Sequence, residues 1–375
     1  MSSRSLDPLD VFRRTRELID IPSVTGEEAE IGHFLAQLLE GLGYHVEMQT
    51  VVAKRANVIA TTGAPAHVVL STHMDTVPPF IPSTEDEEFI HGRGACDAKG
   101  IISAQIAAAE KLRAVGCNEI GLLFTVDEEA GSIGAKVANA HPIAGGCRYL
   151  INGEPTDNRL AIGSKGSMQV VVETEGRAAH SAYPEHGESA IEKLLDVLTD
   201  IRTMSWPSDE TLGETTCNIG LVSGGTGPNV IPAAAGATLH IRLSANVDVA
   251  KDLLERVVAG RATLNYASAH DPQRMLAIDG FDRSVVRFTT DIPYLSGWGA
   301  PLLIGPGSIL DAHTINERVA KSELVRSVQL YADLAETLLA QTEDDLASQI
   351  GAAQGDKETK KSRSTNTHKA TLNLS

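Results

Sequence analysis

The sequence predicts an α/β protein in two parts: a mostly parallel-sheet main domain flanked by helices, and a smaller inserted domain of ferredoxin-like (α+β) type. Three observations predict it. The first third of the chain alternates strand and helix patterns, as βαβ units do. The middle reads β-α-β-β-α-β, the order of a split βαβ unit. Three runs that read as buried strands, Val68–Thr72, Gly121–Val126 and Tyr149–Asn152, are each followed by His, Asp or Glu. An open α/β sheet gathers its ligands at that place, outside the carboxyl ends of the strands.

Taken in order, Asp10 to Ile19 reads as a helix with apolar residues at Val11, Leu18 and Ile19. Thr25 with Glu28 has the spacing of a capping box, opening a helix to about Leu42 that Gly43 stops. Strand patterns follow at His45–Val52, Ala56–Ala60 and Val68–Thr72, then an Ala-rich, packed helix from Gly100 to Val115, ended by Gly116. In the middle, Met168–Glu175 alternates in period two and Ser189–Thr203 is helical. Strands lie around Thr216–Val222 and Ala237–Leu243, followed by a helix at Asp248–Ala259 and a short strand at Arg261–Ala267. The main domain then resumes, and Lys321 to about Gln349 reads as a terminal helix. The expected bounds are 1–166 and 273–350 for the main domain and 167–272 for the insertion. The polar, mixed-charge stretch 351–375 has no apolar period and is expected to be a disordered tail.

Composition narrows the function classes. A chain of 375 residues can bury more than one core. Its net charge of −17 argues against nucleic-acid and anionic-membrane partners, which need a basic face. Met1 to Pro22 carries Arg4, Arg13, Arg14 and Arg16 without a continuous apolar stretch, so no secretion signal is expected. No window is long and apolar enough to span a bilayer. Cys96, Cys117, Cys147 and Cys217 are widely spaced and form no C-x-x-C pair. That argues against a disulfide framework or a thiolate zinc site, and a reduced, cytoplasmic setting is expected.

Five scattered segments end in residues able to hold a hard or borderline metal: His73-Met74-Asp75, Asp97, Asp127-Glu128-Glu129, Glu154 and His313. A lone His at a strand end is more often structural, but Asp75, two residues on, lies on the same side of an extended chain and can orient the imidazole. Asp97 could simply cap the helix that starts near Gly100. Three glycines between Gly92 and Gly100 point instead to an unusual backbone and a close approach, and a carboxylate can bridge two cations. The acids 127–129 could be a solvated turn, yet three adjacent carboxylates near a core repel unless cations offset them. One of them can ligate while its neighbour stays free as a base. Motifs for a G-x-S-x-G nucleophile, a P-loop, an H-E-x-x-H zinc site and a dinucleotide fold are absent.

These residues resemble the co-catalytic di-zinc amidohydrolases that include acetylornithine deacetylase, succinyl-diaminopimelate desuccinylase and glutamate carboxypeptidase. The resemblance runs to about residue 345. It covers Ser71–Pro78, Gly94–Gly100, Thr125–Glu129, Asn152–Pro155, Gly176–Ser181 and Gly305-Pro306-Gly307 through His313. It implies two Zn2+, for which Co2+ can substitute. Asp97 would bridge them, His73 and Glu154 would complete one site, and Glu129 and His313 the other. Glu128 would be the general base and Asp75 the partner behind His73, and a cis peptide would lie near Asp97-Ala98. His180 would reach the partner subunit's active site to stabilise the oxyanion, and Asn229 and Arg242 would hold the substrate's carboxylate. Without the resemblance, His180 reads as a surface residue beside a turn, Asn229 as a turn residue and Arg242 as an exposed strand residue. Gly305 and Gly307 join the substrate-binding set. The insertion would be a lid and the interface of a homodimer, with no nucleic acid or membrane as partner.

The implied reaction is amide hydrolysis. Two metals lower the pKa of a shared water, Glu128 takes its proton and later returns it to the leaving amine, and the oxyanion is stabilised by a metal and His180. Gly305–Ile309 and Ala312–Glu317 look most like the acetylornithine and acetyl-lysine deacetylase branch, so an N-acetyl amino acid such as N-acetylornithine is the expected substrate. The alternatives are a cytoplasmic di- or tripeptidase or carboxypeptidase, a succinyl-diaminopimelate desuccinylase-like deacylase, an acetyl-lysine deacetylase, and a non-catalytic binding protein. Thr289-Thr290-Asp291 departs from the Gly-Thr-Asp type of segment common in relatives.

Overall fold

The computed structural model describes residues 8–342. The expected tail at 351–375 and the end of the terminal helix lie outside the described residues. The chain divides into two compact units. Among the described residues, the first takes 8–162, 275–284 and 290–342, and the second takes 163–274 and 285–289, against the expected insertion at 167–272.

The first unit is built on a sheet ordered His45–Val52, Arg55–Thr61, Ile120–Thr125, Val68–His73, Tyr149–Asn152, Ala300–Leu303 and Leu160–Ser164. Its centre is parallel: Val68–His73 lies between Ile120–Thr125 and Tyr149–Asn152, and Ala300–Leu303 continues the same sense. The flanking pairs are antiparallel. The central strands are buried along their whole length, because both faces are covered, which is why they read as unbroken apolar runs. Alternate residues serve the two faces. Val58, Leu70, Leu122, Phe124 and Ile151 pack with the helices Ala29–Gly41, Lys99–Ala114 and Lys321–Leu339. Ile59, Val69, Leu123 and Leu150 pack on the other side with Ala135, Ala138, Leu295 and Trp298.

The second unit carries a four-stranded antiparallel sheet in the order Thr216–Gly224, Ala234–Leu243, Gly166–Glu175, Thr263–His270. The helices Ala190–Thr203 and Val247–Val258 cover one face through Leu194, Val197, Ile201 and Leu254 against Val170, Val172, Leu239 and Ile241. This is the β-α-β-β-α-β order.

Two local expectations are corrected, and one strand was not expected. The capping box does not form: the first turn of Ala29–Gly41 has no side-chain cap. Thr25 instead donates its hydroxyl to Asp75 Oδ2 at 2.8 Å, and Glu28 takes a bidentate pair from Arg55, both contacts at 2.6 Å. Asp97 is not a helix cap either, since Ala98 precedes Lys99–Ala114 without a side-chain cap. The strand Ala300–Leu303 escapes the sequence because Pro301 weakens the strand reading.

Candidate metal centre and active site

The parallel centre of the sheet aims its carboxyl ends at one region, and the strand register decides what arrives there. His73 is the last residue of its strand and is buried. The strand Ile120–Thr125 leads into Asp127–Glu129, Tyr149–Asn152 into Glu154, and Ala300–Leu303 into the turn that precedes His313. Asp97 comes from the loop before Lys99–Ala114, and its peptide bond to Ala98 is cis.

Asp97 is the hub. Its Oδ1 lies 2.9 Å from His73 Nε2 and its Oδ2 lies 3.3 Å from His313 Nε2. His313 Nε2 is also 2.9 Å from Glu129 Oε1. The ligand atoms of His73, Asp97 and Glu129 all fall within 4.8 Å of one another. Each carboxylate oxygen of Asp97 thus faces a different imidazole. Glu154 is buried, and its Oε1 has no hydrogen-bond partner among the described residues.

Asp75 does more than stand behind His73. His73 Nδ1 is 3.0 Å from the Asp75 carbonyl oxygen and 3.5 Å from Oδ1, so the backbone makes the shorter contact. The carboxylate mainly holds the next loop: Oδ1 accepts the Glu128 N–H at 3.0 Å and Oδ2 the Glu129 N–H at 3.2 Å. Charge-assisted bonds of this kind are among the stronger ones. They set the turn from which both glutamates project.

Of the three adjacent acids, Asp127 is turned away. It adopts φ +70°, pairs with Arg55 Nη2 at 2.7 Å, and accepts the Gly131 N–H. Arg55 is the cation that the crowded run required, and it joins Asp127 to Glu28. Removing one partner of a buried pair of this kind costs about 3–5 kcal/mol.

The electrostatics follow from packing many acids into one buried place. Burial first, then the neighbouring Glu154, pushes the Glu128 carboxyl well above its ordinary range. Glu154 is raised in the same way, by burial and by Asp97 and Glu129, and Glu129 is raised chiefly by burial. Burial opposes the charge on His73, but Asp75 and Asp97 outweigh it and raise its pKa. Asp97 and Glu129 lift His313 to about 10. Burial would raise Asp97, but His313 and His73 outweigh it and hold it low. This donor set fits divalent cations. His73, Asp97 and Glu129 converge with His313 beside them and no thiolate among them, the buried Glu154 leaves one carboxylate oxygen orphaned, and the neighbouring imidazoles do not bring Glu128, Glu129 or Glu154 back to the ordinary carboxylate range.

These shifts fix a sign for the metal-free protein. A raised carboxyl stabilises the fold below about pH 4.3 and loses that contribution as pH rises through its folded pKa. His73 and His313 contribute below about 6.5 and lose it as pH rises through their higher folded values. Asp97, held low, changes nothing above about pH 5. Buried Lys99, lowered to about 7, acts oppositely only above that pH. Between pH 5 and 7 the metal-free site therefore weakens the fold progressively. The Tm gained on adding Zn2+ is expected to widen from pH 5 to pH 7, and a constant or shrinking gain contradicts these assignments.

The remaining expected residues divide between the units. Gly305 and Gly307 are in the first. A Cβ on Gly305 would stand 2.5 Å from the Glu154 carbonyl oxygen. Gly307, at φ +85°, would place one 2.4 Å from Cys96 Cβ. Their visible role is to let the turn pass close to two ligand-bearing segments. His180, Asn229 and Arg242 are in the second unit. His180 is exposed, and its Nδ1 accepts the Ala182 N–H at 3.1 Å. Its strand-like bridge to Val230 and the Ser181 N–H bond to the Asn229 carbonyl, at 3.0 Å, bring His180 and Asn229 onto adjacent segments. Arg242 is half-buried in a central strand, opposite Ser167 and Thr216, and burial lowers its pKa. Sequence reasoning missed Asp291 as a site residue. It is buried, accepts the Thr125 hydroxyl at 2.7 Å, and is raised by burial to about 6. Its charge bears on both Glu128 and Glu154. The signal was an acid soon after a predicted break in the domain, noted only as a departure.

A sheet whose strand ends bring His73, Asp97 and Glu129 together, with His313 beside them, defines an α/β protein with a candidate metal site. Residues 69–337 match the family described as peptidase family M20/M25/M40. A peptidase M20 domain-containing protein of Schizosaccharomyces pombe is 37% identical over 327 residues, 84% of this chain and 82% of that protein. A probable carboxypeptidase of Aspergillus terreus is 37% identical over 369 residues, 86% of this chain and 85% of that protein. Among solved structures, aminopeptidase PepT of Bacillus cereus superposes with a TM-score of 0.72 at 21% identity, over 89% of this chain and 99% of that one. The YXEP protein of Bacillus subtilis, described as a dinuclear metal binding peptidase, gives 0.65 at 15% identity, over 89% and 99%. The chain belongs to peptidase family M20/M25/M40 and is a hydrolase.

Proposed function

We propose that this protein is a two-metal amide hydrolase acting on an amide whose nitrogen belongs to an amino acid with a free carboxylate. The observation that carries the proposal is Asp97, whose two oxygens face His73 and His313 separately, with Glu128 on the adjoining turn. His73, Asp97 and Glu154 would hold one cation and Asp97, Glu129 and His313 the other, with zinc as the metal and cobalt able to replace it. Bound cations would supply Lewis acidity and a lowered pKa for water. Glu128 takes the proton of the attacking water and delivers it to the departing nitrogen. Asp75 keeps Glu128 in place through its backbone N–H.

N-acetylornithine and related N-acetyl amino acids are one form of such a substrate, and the C-terminal residue of a peptide is the other. The names of the fungal relatives favour the second form. In both, Asn229 and Arg242 would hold the carboxylate, and His180 would stabilise the oxyanion across a homodimer. The edge strand Thr216–Gly224, with exposed Leu221 and Val222, supports pairing of the second units. No helix among the described residues is long and apolar enough to cross a membrane.

The test is free-amine release from N-acetyl amino acids, N-succinyl amino acids and short peptides, each with free and amidated carboxyl ends, with metal added and with metal chelated. Metal-dependent cleavage is expected, roughly ten- to a hundredfold weaker on the amidated forms. Equal cleavage of both forms would remove the carboxylate requirement, and metal-independent or absent cleavage would overturn the reaction class. In the same assay His180→Ala should lower kcat by about 10²–10³-fold with metal content unchanged. An unaltered kcat would remove His180 from the site.

A further inference from the structure

Glu317 is a fully buried acid to which the proposed reaction gives no role. Its Oε1 accepts three backbone N–H groups of the loop that ends in Asp97: Gly94 at 2.9 Å, Asp97 at 3.3 Å and Cys96 at 3.4 Å. Its Oε2 is paired with Arg93 Nη1 at 2.5 Å, and its carbonyl accepts the Gly92 N–H at 3.0 Å. Successive amides turned onto one anion form a concave cradle, here occupied by the protein's own carboxylate. The same residue lies four positions after His313. One side chain therefore ties the segment that delivers His313 to the loop that delivers Asp97. Asp97 has to meet His73 at 2.9 Å and His313 at 3.3 Å at once, and a site of this kind tolerates errors of only about 0.5 Å.

We infer that Glu317 is a positioning residue of the metal centre, setting the separation of Asp97 and His313 rather than merely stapling the fold. The inference rests on the metal-centre reading above. Glu317→Gln keeps the shape of the side chain but sets an NH2 group against either the amides or Arg93. Zn2+ affinity of the metal-stripped full chain, measured by competition with a chromophoric chelator, is expected to fall about 10- to 100-fold at both sites. Because Arg93 loses its charged partner, the metal-free variant is expected to unfold at a lower midpoint while remaining folded, by circular dichroism, at the temperature of the zinc measurement. Should Glu317→Gln not fold, Glu317→Asp keeps the charge, withdraws it by one methylene, and is read in the same way. Unchanged zinc affinity in a folded variant overturns the inference, as does failure of both variants to fold, which would assign Glu317 to fold maintenance. A wild type that itself binds no zinc would instead sink the metal-centre reading.

Discussion

Glu128→Gln is expected to lower kcat by about 10²–10⁴-fold, the usual contribution of a positioned general base, while the protein keeps its full complement of metal. The side chains are nearly equal in volume, and the Glu128 contact to Asp75 runs through the backbone N–H, which the substitution preserves. None of the short contacts among His73, Asp97, Glu129 and His313 involves Glu128. What changes is that the amide cannot accept the proton of water or return it to the leaving nitrogen. Elemental analysis and kcat at saturating substrate, measured on one preparation, check this. A variant that retains activity within tenfold would show that the proton is handled elsewhere, with Asp291, a buried acid that has no metal role and whose charge bears on Glu128, as the candidate.

Asp97→Ala is expected to cost binding at both metal positions, whereas His313→Ala should cost it at one. The asymmetry comes from geometry: Asp97 faces both imidazoles, and His313 pairs, among the described residues, with Asp97 and Glu129. A structural zinc gains about 10–16 kcal/mol from four ligands, so one ligand is worth roughly 3 kcal/mol, on the order of 10²-fold in affinity. The fold itself should survive. Asp97 does not cap the helix Lys99–Ala114, so no cap energy is lost, and its loop is held through its N–H by Glu317. Metal stoichiometry after dialysis, with circular dichroism as the control for folding, distinguishes the two variants. Equal loss in both, or retention of two ions by Asp97→Ala, contradicts a shared ligand.

The parallel centre of the sheet was legible because strands covered on both faces leave long apolar runs, and Val68–His73, Ile120–Thr125 and Tyr149–Asn152 are of that kind. The second unit was legible because its strands have one covered face and alternate, as in Ala234–Leu243, where every second residue is buried. The strand Ala300–Leu303 was not, because Pro301 and a length of four residues suppress its signal until its neighbours are known. The capping box misled for a related reason. Thr25 and Glu28 have the right spacing, but Asp75 and Arg55, 50 and 27 residues away in the chain, compete successfully for their side chains.

The residues of the site were legible as a pattern of strand ends, whereas their division of labour came from the family resemblance and left no mark in the local pattern. Local pattern alone could not separate Asp127 from Glu128 and Glu129, and only the family resemblance gave the two glutamates distinct roles; Arg55 is what pulls one acid of the three away. Nor could it place Glu317 on the amides of Gly94, Cys96 and Asp97, a contact spanning more than 200 residues. Asp291 is hidden for the same reason, its partner Thr125 lying 166 residues earlier. Contacts of this range are fixed by the packing of the sheet and leave no local trace.

The most direct test is a stepwise zinc titration of the metal-stripped wild type, with free-amine release from a peptide or an N-acetyl amino acid recorded at each step. Two equivalents bound, with activity appearing as they fill and vanishing on chelation, is the predicted result. Full activity before any metal is added, or no saturable binding, would contradict a metal centre built on Asp97.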